Sequence, residues 1–201
     1  MKKGQLFVIS GPSGAGKGTI CRELVDQTDA ALSVSMTTRQ PRPGEEHGQS
    51  YFFVTREEFE QTANGGGFLE YAEVYDYMYG TPKQWVCDML GSGRDVILEI
   101  DIQGALKVKA NYPNGVFIFI LPPSMSELRK RITGRGTESA ADIDRRLGEA
   151  LKELTYLEKY DYCLVNGILE EAVKRALAIM VAEHSRVGED VSEIIDGYRQ
   201  E

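Results

Sequence analysis

A glycine-rich segment directly after a short apolar run constrains the fold more than any other feature of this sequence. Residues 6–9 read LFVI, and the segment GPSGAGK that follows ends at Lys17. Beyond the lysine, Ile20, Leu24 and Val25 recur at helical spacing. A strand, a glycine-rich turn and a helix form the setting of a phosphate-binding P-loop, in which backbone N–H groups and a helix N-terminus face one anion. The predicted residues of this nucleoside triphosphate site are Gly11, Ser13, Gly14, Ala15, Gly16, Lys17, Gly18 and Thr19.

The residue after the lysine departs from the usual P-loop pattern. That position commonly carries a Ser or Thr hydroxyl that binds Mg²⁺. Here it is Gly18, and the first hydroxyl follows at Thr19. We therefore expect Mg²⁺ to be held more by phosphate oxygens and water than by this loop.

Composition and charge restrict the classes of protein to which the chain can belong. Its 201 residues fit one domain, and a hydrophobic content of 42% supplies a sizeable core. The net charge of -8 argues against a general nucleic-acid-binding protein. The three cysteines are widely spaced, which predicts neither a disulfide framework nor a metal site, and no apolar stretch reaches membrane-spanning length. We therefore expect a cytoplasmic protein with neither a nucleic acid nor a membrane as partner.

The order of apolar and helical patterns predicts an α/β fold. Short apolar runs with helical patterns between them read as buried parallel strands at residues 5–10, 95–100, 115–121 and 160–165. This alternation predicts a P-loop fold of three layers, α/β/α, around a central parallel sheet. Ligands bind such sheets at the carboxyl ends of the strands, where the P-loop would lie.

Two insertions interrupt the alternation. Residues 35–93 contain a proline-rich extended segment, a short strand pattern and a glycine turn, and they predict an inserted lobe. Glycines break the helical pattern in a second place, which predicts a helical lid at about 131–146. The whole chain, residues 1–201, would then be one domain whose core comprises 1–34 and 94–201.

The proline-stiffened start of the lobe carries one set of candidate ligand contacts. Arg39 and Arg42 stand three residues apart, and Tyr51 follows. Guanidinium groups match pairs of phosphate oxygens, and preset backbone angles lower the entropy cost of that contact. The pattern indicates a second phosphate site, although solvated basic residues in a surface loop would have the same spacing.

A carboxylate among aromatic residues forms another set. Glu70 lies in the segment FLEYAE, and Tyr79 and Thr81 flank a glycine. A carboxylate accepts hydrogen bonds from the ring N–H and the amino group on one edge of guanine, and a hydroxyl can donate to the carbonyl beside them. Adenine lacks that pair of donors. A surface glutamate beside core aromatic residues is the alternative interpretation.

Acidic and basic residues complete the candidate chemistry. Glu99 and Asp101 end an apolar run, which resembles a Walker-B arrangement that organises Mg²⁺ and its water. Arg131, Arg135 and Arg146 surround the second insertion, where lid closure would bring positive charge to a moving phosphate. Other basic residues of that region fit a solvated helix face better, namely Arg129, Lys130 and Arg145.

Taken together, these segments resemble guanylate kinases of the bacterial type over nearly the whole chain. The matching motifs are SVSMTTR at 33–39, PRPGE at 41–45, FLE at 68–70, YGT at 79–81, EIDIQG at 99–104, LPPS at 121–124 and GRG at 134–136. The resemblance implies transfer of a phosphoryl group from ATP to GMP or dGMP with Mg²⁺. It also implies a P-loop core with a GMP-binding lobe and a lid.

Carried over position by position, the resemblance implies a role for each candidate residue. Lys17 and the P-loop would hold the ATP phosphates. Guanine would be read by Ser35, Glu70, Thr81 and Asp101, and the GMP phosphate would be bound by Arg39, Arg42, Tyr51 and Tyr79. The transferring phosphoryl group would be stabilised by Lys17, Arg39, Arg131, Arg135 and Arg146. Mg²⁺ would be bound, mostly indirectly, by Thr19, Glu99 and Asp101.

Two alternatives share parts of this pattern. Protein-interaction modules with the same fold have lost catalysis, and they typically lack the P-loop lysine and the arginine set that this chain retains. A kinase for another nucleoside monophosphate is the second alternative.

The sequence departs from the family pattern at two further places. Glu99 stands where Asp is commoner, and residues 76–78 read DYM instead of Gly-Asn-Tyr. A monomer and a homodimer are both compatible with the sequence.

Overall fold

A computed structural model describes residues 3–74, 76–133, 140–187 and 191–199 of the chain. Its strands are β1 Leu6–Ser10, β2 Ala31–Leu32, β3 Met36–Thr37, β4 Phe52–Phe53, β5 Phe68–Val74, β6 Tyr77–Pro82, β7 Val96–Glu99, β8 Val116–Leu121 and β9 Tyr162–Val165. Its helices are α1 Lys17–Gln27, α2 Arg56–Asn64, α3 Lys83–Gly91, α4 Ile102–Asn111, α5 Met125–Thr133, α6 Ala140–Glu153, α7 Leu169–His184 and α8 Val191–Arg199. A 3-10 helix, Leu154–Lys159, follows α6.

The central sheet has five parallel strands in the order β2-β7-β1-β8-β9. The four apolar runs that the sequence predicts as buried parallel strands correspond to β1, β7, β8 and β9 of this sheet. Strand β2 was not predicted, because two residues are too short to show a period. Strand β1 is buried along its whole length, which accounts for its uninterrupted apolar sequence.

Helices cover both faces of the central sheet. Phe7 and Ile9 pack with α1 and α7 in one apolar cluster, whereas Leu6 and Val8 pack with α3 and α4 in the other. Alternate residues of a strand point to opposite faces, so β1 contributes to both clusters. The predicted three-layer α/β/α fold with a central parallel sheet is therefore confirmed.

A second sheet of four strands, in the order β4-β3-β6-β5, is formed by residues within 36–82. It is mixed, because β3 pairs with β4 in parallel and with β6 in antiparallel orientation. Strands β5 and β6 form an antiparallel pair, and Asp76 near their connection has a left-handed φ of 66°. Helix α2 packs on β5 and begins with a capping box between Thr55 and Glu58.

Two side chains of α4 bind the backbone of β5 at the edge of the second sheet. The Asn111 amide donates to the carbonyl oxygen of Leu69 at 2.8 Å, and the Lys107 ammonium donates to that of Tyr71 at 2.7 Å. The residue between these two attachments is Glu70. The strand that carries this carboxylate is therefore held directly on α4, a helix that packs against the central sheet.

Helices α5 and α6 pack together beside the P-loop. Their apolar cluster contains Leu128, Ile132, Ile143, Leu147 and Ala150. The predicted lid glycines and Arg135 fall in residues 134–139, which lie outside the described residues. Within the described ranges, no helix has both the length and the apolar character needed to cross a membrane.

Candidate active site

The P-loop joins β1 to α1, and three of its glycines, Gly11, Gly14 and Gly16, have a positive φ. Gly11 has φ 137°, and a Cβ atom there would lie 2.3 Å from the carbonyl oxygen of Ile120. Gly16 has φ 91° and immediately precedes α1. Glycine alone adopts such backbone angles readily. The resulting curl leaves the first N–H groups of α1, which have no partner within the helix, available to an anion.

Lys17 lies at the start of α1 with its ammonium group turned back onto the loop. Its Nζ donates to the carbonyl oxygen of Gly11 at 2.7 Å and approaches that of Pro12 at 3.2 Å. Burial lowers the pKa of Lys17, and the negative charge of Glu99 opposes that shift. A phosphate that enters the loop would offer this ammonium a stronger partner than the neutral carbonyls.

Glu99 occupies the space beside Gly18. A Cβ atom on Gly18 would lie 3.1 and 3.2 Å from the two carboxylate oxygens of Glu99. Strand β7 is buried up to Leu98, and Glu99 is its first exposed residue, so the carboxylate reaches from the end of the strand over the first turn of α1. The two departures from the expected motif are therefore in contact, since the missing side chain at position 18 makes room for the longer acid.

The first predicted phosphate-binding arginine is held within a cluster of aromatic and acidic residues. The Arg39 guanidinium donates to Glu45 at 2.8 Å and lies 5.5 Å from the ring centre of Tyr51. The Tyr51 and Tyr79 rings contact each other with centres 6.0 Å apart. Hydrogen bonding to Glu45 raises the pKa of Arg39, and burial raises the pKa of Tyr51. The structure thus brings together Arg39, Tyr51 and Tyr79.

Arg42 and Ser35 border this cluster. The backbone N–H of Arg42 donates to Glu45 at 2.8 Å, and its exposed side chain extends from the same turn. Ser35 precedes β3, and its carbonyl oxygen accepts from the N–H of Phe52 at 2.9 Å. The altered segment before Tyr79 is anchored as well, because the N–H of Met78 donates to the Thr38 hydroxyl at 2.9 Å.

Glu70 and Thr81 form a cross-strand pair inside the second sheet. The Thr81 hydroxyl donates to Glu70 Oε1 at 2.8 Å, and Thr81 is 1% exposed. Burial raises the pKa of Glu70, and the bond from Thr81 opposes that shift. The second oxygen, Oε2, approaches α4 at Gly104, where a Cβ atom would lie 3.3 Å from it. Such a side chain would also lie 3.3 Å from Oδ1 of Asp101, so this glycine allows both carboxylates to approach the helix N-terminus.

Asp101 has a structural function that the sequence did not indicate. It caps α4, and its Oδ1 accepts from the N–H of Gly104 at 2.7 Å. Among the described residues, there is no group of three or more His, Cys, Asp or Glu side chains that could bind a metal ion. Glu99 and Asp101 are nevertheless both exposed at the carboxyl end of β7, beside the start of α1.

Two of the three arginines predicted to belong to a lid lie against the P-loop. The Arg146 guanidinium donates to the Ser13 hydroxyl at 2.5 Å. Arg131 donates to the carbonyl oxygen of Asn166 at 2.9 Å and approaches that of Ala15 at 3.4 Å. The third predicted arginine, Arg135, lies outside the described residues.

Sequence reasoning overlooked three polar residues at this site. Asn166 follows β9 and donates from its buried amide to the carbonyl oxygen of Ala15 at 2.8 Å. Glu45 pairs with Arg39. Burial lowers the pKa of Lys17, and the negative charge of Glu153 opposes that shift together with the charge of Glu99. A polar residue at the carboxyl end of a parallel strand was a usable signal for Asn166. No comparable signal exists for Glu45 and Glu153, because each looks like an ordinary exposed acid in its local sequence.

Known proteins match the chain over nearly its whole length. A family model described as guanylate kinase matches residues 3–183. Guanylate kinases of Clostridium acetobutylicum and Caldanaerobacter subterraneus are each 57% identical to it, covering 97% and 92% of this chain and 93% and 91% of their own. The crystal structure of guanylate kinase from Anaplasma phagocytophilum superimposes with a TM-score of 0.73 at 36% identity, covering 93% of this chain and 89% of that one. The chain therefore belongs to the guanylate kinase family.

Proposed function

We propose that this chain transfers the γ-phosphoryl group of ATP to GMP or dGMP, giving ADP and GDP or dGDP. The observation that carries the proposal is the Glu70 carboxylate, half-buried between Thr81 and the start of α4. Guanine presents two adjacent donors that suit such an acceptor, and adenine would leave it unpaired. Ser35 and Asp101 are the further predicted contacts to the base.

The chain's own residues would act by positioning and by charge. Arg39, Arg42, Tyr51 and Tyr79 hold the GMP phosphate, and Lys17 with the P-loop N–H groups holds the phosphates of ATP. An oxygen of the GMP phosphate then attacks the γ-phosphorus in line, and the bond to the ADP oxygen breaks without a covalent enzyme intermediate. Positive charge from Lys17, Arg39 and the lid arginines offsets the charge on the phosphoryl oxygens.

The acids at the end of β7 fit a Mg²⁺ ion. Mg²⁺ is usually bound through one or two carboxylates together with substrate phosphates and water. Glu99 and Asp101 provide two exposed carboxylates, and Thr19 provides the hydroxyl that Gly18 lacks. When bound there, the ion would neutralise part of the charge on the phosphates.

The insertions have distinct functions in this proposal. We assign residues 35–93 to the GMP-binding lobe and about 131–146 to the lid, with the core in 1–34 and 94–201. Arg131, Arg135 and Arg146 would reach the transferring group from the lid side. We place the reaction in the cytoplasm. A monomer or a homodimer would serve equally, since every residue assigned here comes from one chain.

The direct test is ADP production from ATP and Mg²⁺ with GMP, dGMP, AMP, UMP and CMP offered separately. We expect turnover with GMP and dGMP and less than about a hundredth of that rate with the others, because the Glu70 site rejects bases that lack the donor pair. Turnover with AMP or a pyrimidine nucleotide would refute the base assignment. A folded protein that is inactive with all of them would favour the interaction module.

The raised pKa of Glu70 predicts a dependence of GMP binding on pH. Only the ionised carboxylate accepts from both donors of guanine. Because burial raises its pKa, Glu70 takes up a proton at a pH at which an ordinary glutamate stays ionised. The KM for GMP should therefore rise as the pH is lowered from neutrality, while the KM for ATP changes less.

Steady-state kinetics across that range check this expectation. The GMP phosphate titrates too, so the Glu70→Gln variant serves as the reference that retains only the phosphate titration. The wild type should show an additional rise in KM for GMP at low pH that the variant lacks. Parallel pH profiles for the two proteins would exclude Glu70 as the titrating group.

A further inference from the structure

Two side chains, those of Asn166 and Arg131, converge on the Ala15 carbonyl of the P-loop. Its oxygen accepts from the Asn166 amide at 2.8 Å, and Arg131 Nη1 lies 3.4 Å away. Arg131 also donates through Nη2 to the backbone carbonyl of Asn166 at 2.9 Å, and its Nε lies 3.6 Å from Glu127. The P-loop, the end of β9 and the last turn of α5 are joined at this point.

The contacts of the Ala15 carbonyl also determine the direction of the Gly16 N–H, because both groups belong to the same peptide unit. A trans peptide unit is planar, and its C=O and N–H point in opposite directions. Fixing the Ala15 carbonyl toward Asn166 and Arg131 therefore aims the N–H of Gly16 away from these two side chains. Two donors on one carbonyl also polarise the peptide unit, which makes the N–H a stronger donor to an anion.

Gly16 makes room for this contact. A Cβ atom on Gly16 would lie 2.3 Å from Nδ2 of Asn166 and 3.9 Å from Nη1 of Arg131. Asn166 is 6% exposed, so its amide cannot move far. The absence of a side chain at Gly16 thus has two consequences. It leaves space for the Asn166 amide, and it allows the φ of 91°.

We propose that Asn166 is a positioning residue that orients the Ala15–Gly16 peptide for the phosphates of ATP, with Arg131 as its second anchor at the base of the lid. This inference rests on the proposed ATP site and deepens it. Asn166 acts through the backbone and makes its contribution before any nucleotide base is bound. Loss of its amide should weaken the binding of the phosphate chain itself.

The test uses inorganic tripolyphosphate, which has no base, as the ligand. Asn166→Ala removes the donor, and Asn166→Asp keeps the shape but puts a carboxylate against the Ala15 carbonyl. We expect the dissociation constant to rise about threefold for the first and about tenfold or more for the second, in calorimetry or in competition with ATP. This order distinguishes orientation from packing, because a cavity would make Asn166→Ala the worse variant.

Two controls keep the result interpretable. Asn111→Ala removes a comparable amide-to-carbonyl bond, to Leu69 at 2.8 Å, and should leave tripolyphosphate affinity unchanged. The free energy of unfolding in a denaturant titration reports folding of each variant. Asn166→Ser, which retains a small donor, replaces any variant that fails this check and should lose less affinity than Asn166→Asp. Unchanged tripolyphosphate affinity, or a loss confined to ATP, would overturn the proposal. Wild-type turnover with GMP separately tests the proposed function.

Discussion

Lys17→Met is expected to lower kcat/KM for phosphoryl transfer by about a thousandfold, the cost of removing a charged donor from a transferring phosphate. The fold should persist, because the free protein uses this ammonium only to bind carbonyl oxygens of its own loop. Its lowered pKa shows that burial disfavours the charge. A methionine of similar length should therefore change the free energy of unfolding by less than about 1 kcal/mol.

Initial rates with saturating GMP and varied ATP, together with a denaturant titration, check both parts of this expectation. Lys174→Met is the matched control, since Lys174 is exposed on α7 and is not among the site residues. The control should retain its rate. A Lys17→Met protein with near-normal turnover would remove the lysine from the site.

Glu70→Ala is expected to raise the KM for GMP about a hundredfold, because two donors of the base lose a charged acceptor. The KM for ATP should stay within about twofold of the wild-type value, since the P-loop does not contact this residue. Glu70 is buried enough to raise its pKa, so its removal also relieves a desolvation cost in the folded protein. The Thr81 hydroxyl would lose its partner and offset part of that gain.

Separate KM values for the two substrates distinguish this outcome from general damage. Glu73→Ala provides the comparison, because Glu73 is an exposed acid on the same strand, three residues further along. It should leave both KM values unchanged. Equal losses for GMP and ATP in Glu70→Ala would indicate a distorted protein instead of a lost base contact.

Local rules predicted most of the fold and the main candidate residues. The P-loop was readable because a strand, its glycines, the lysine and the helix follow one another without interruption. Glu99 could be placed near it because the carboxyl ends of parallel strands share one edge, and β7 is indeed the neighbour of β1. The runs of the central sheet were long and apolar enough for four of its five strands to be recognised, whereas the short β2 and, in the second sheet, β3, β5 and β6 were not predicted individually.

Pairings between distant segments could not be predicted in this way. The contact between Asn166 and Ala15 joins residues that are 151 positions apart, and nothing near either residue indicates the other. Glu99 and Gly18 each depart from the family pattern, and only the structure shows that the two residues are neighbours and that one departure accommodates the other. Asp101 looked only like a ligand-binding acid, because helix capping and ligand binding favour the same residue type.

The attachment of β5 to α4 fixes the position of Glu70 relative to the central sheet. Hydrogen bonds on either side of Glu70 hold its strand to α4, whereas Arg39 and Tyr51 lie toward the opposite edge of the second sheet. A closing movement that carried Glu70 along would have to break both attachments. Glu70 is therefore held in place before any ligand arrives, and binding to its carboxylate carries no entropy cost for positioning the strand.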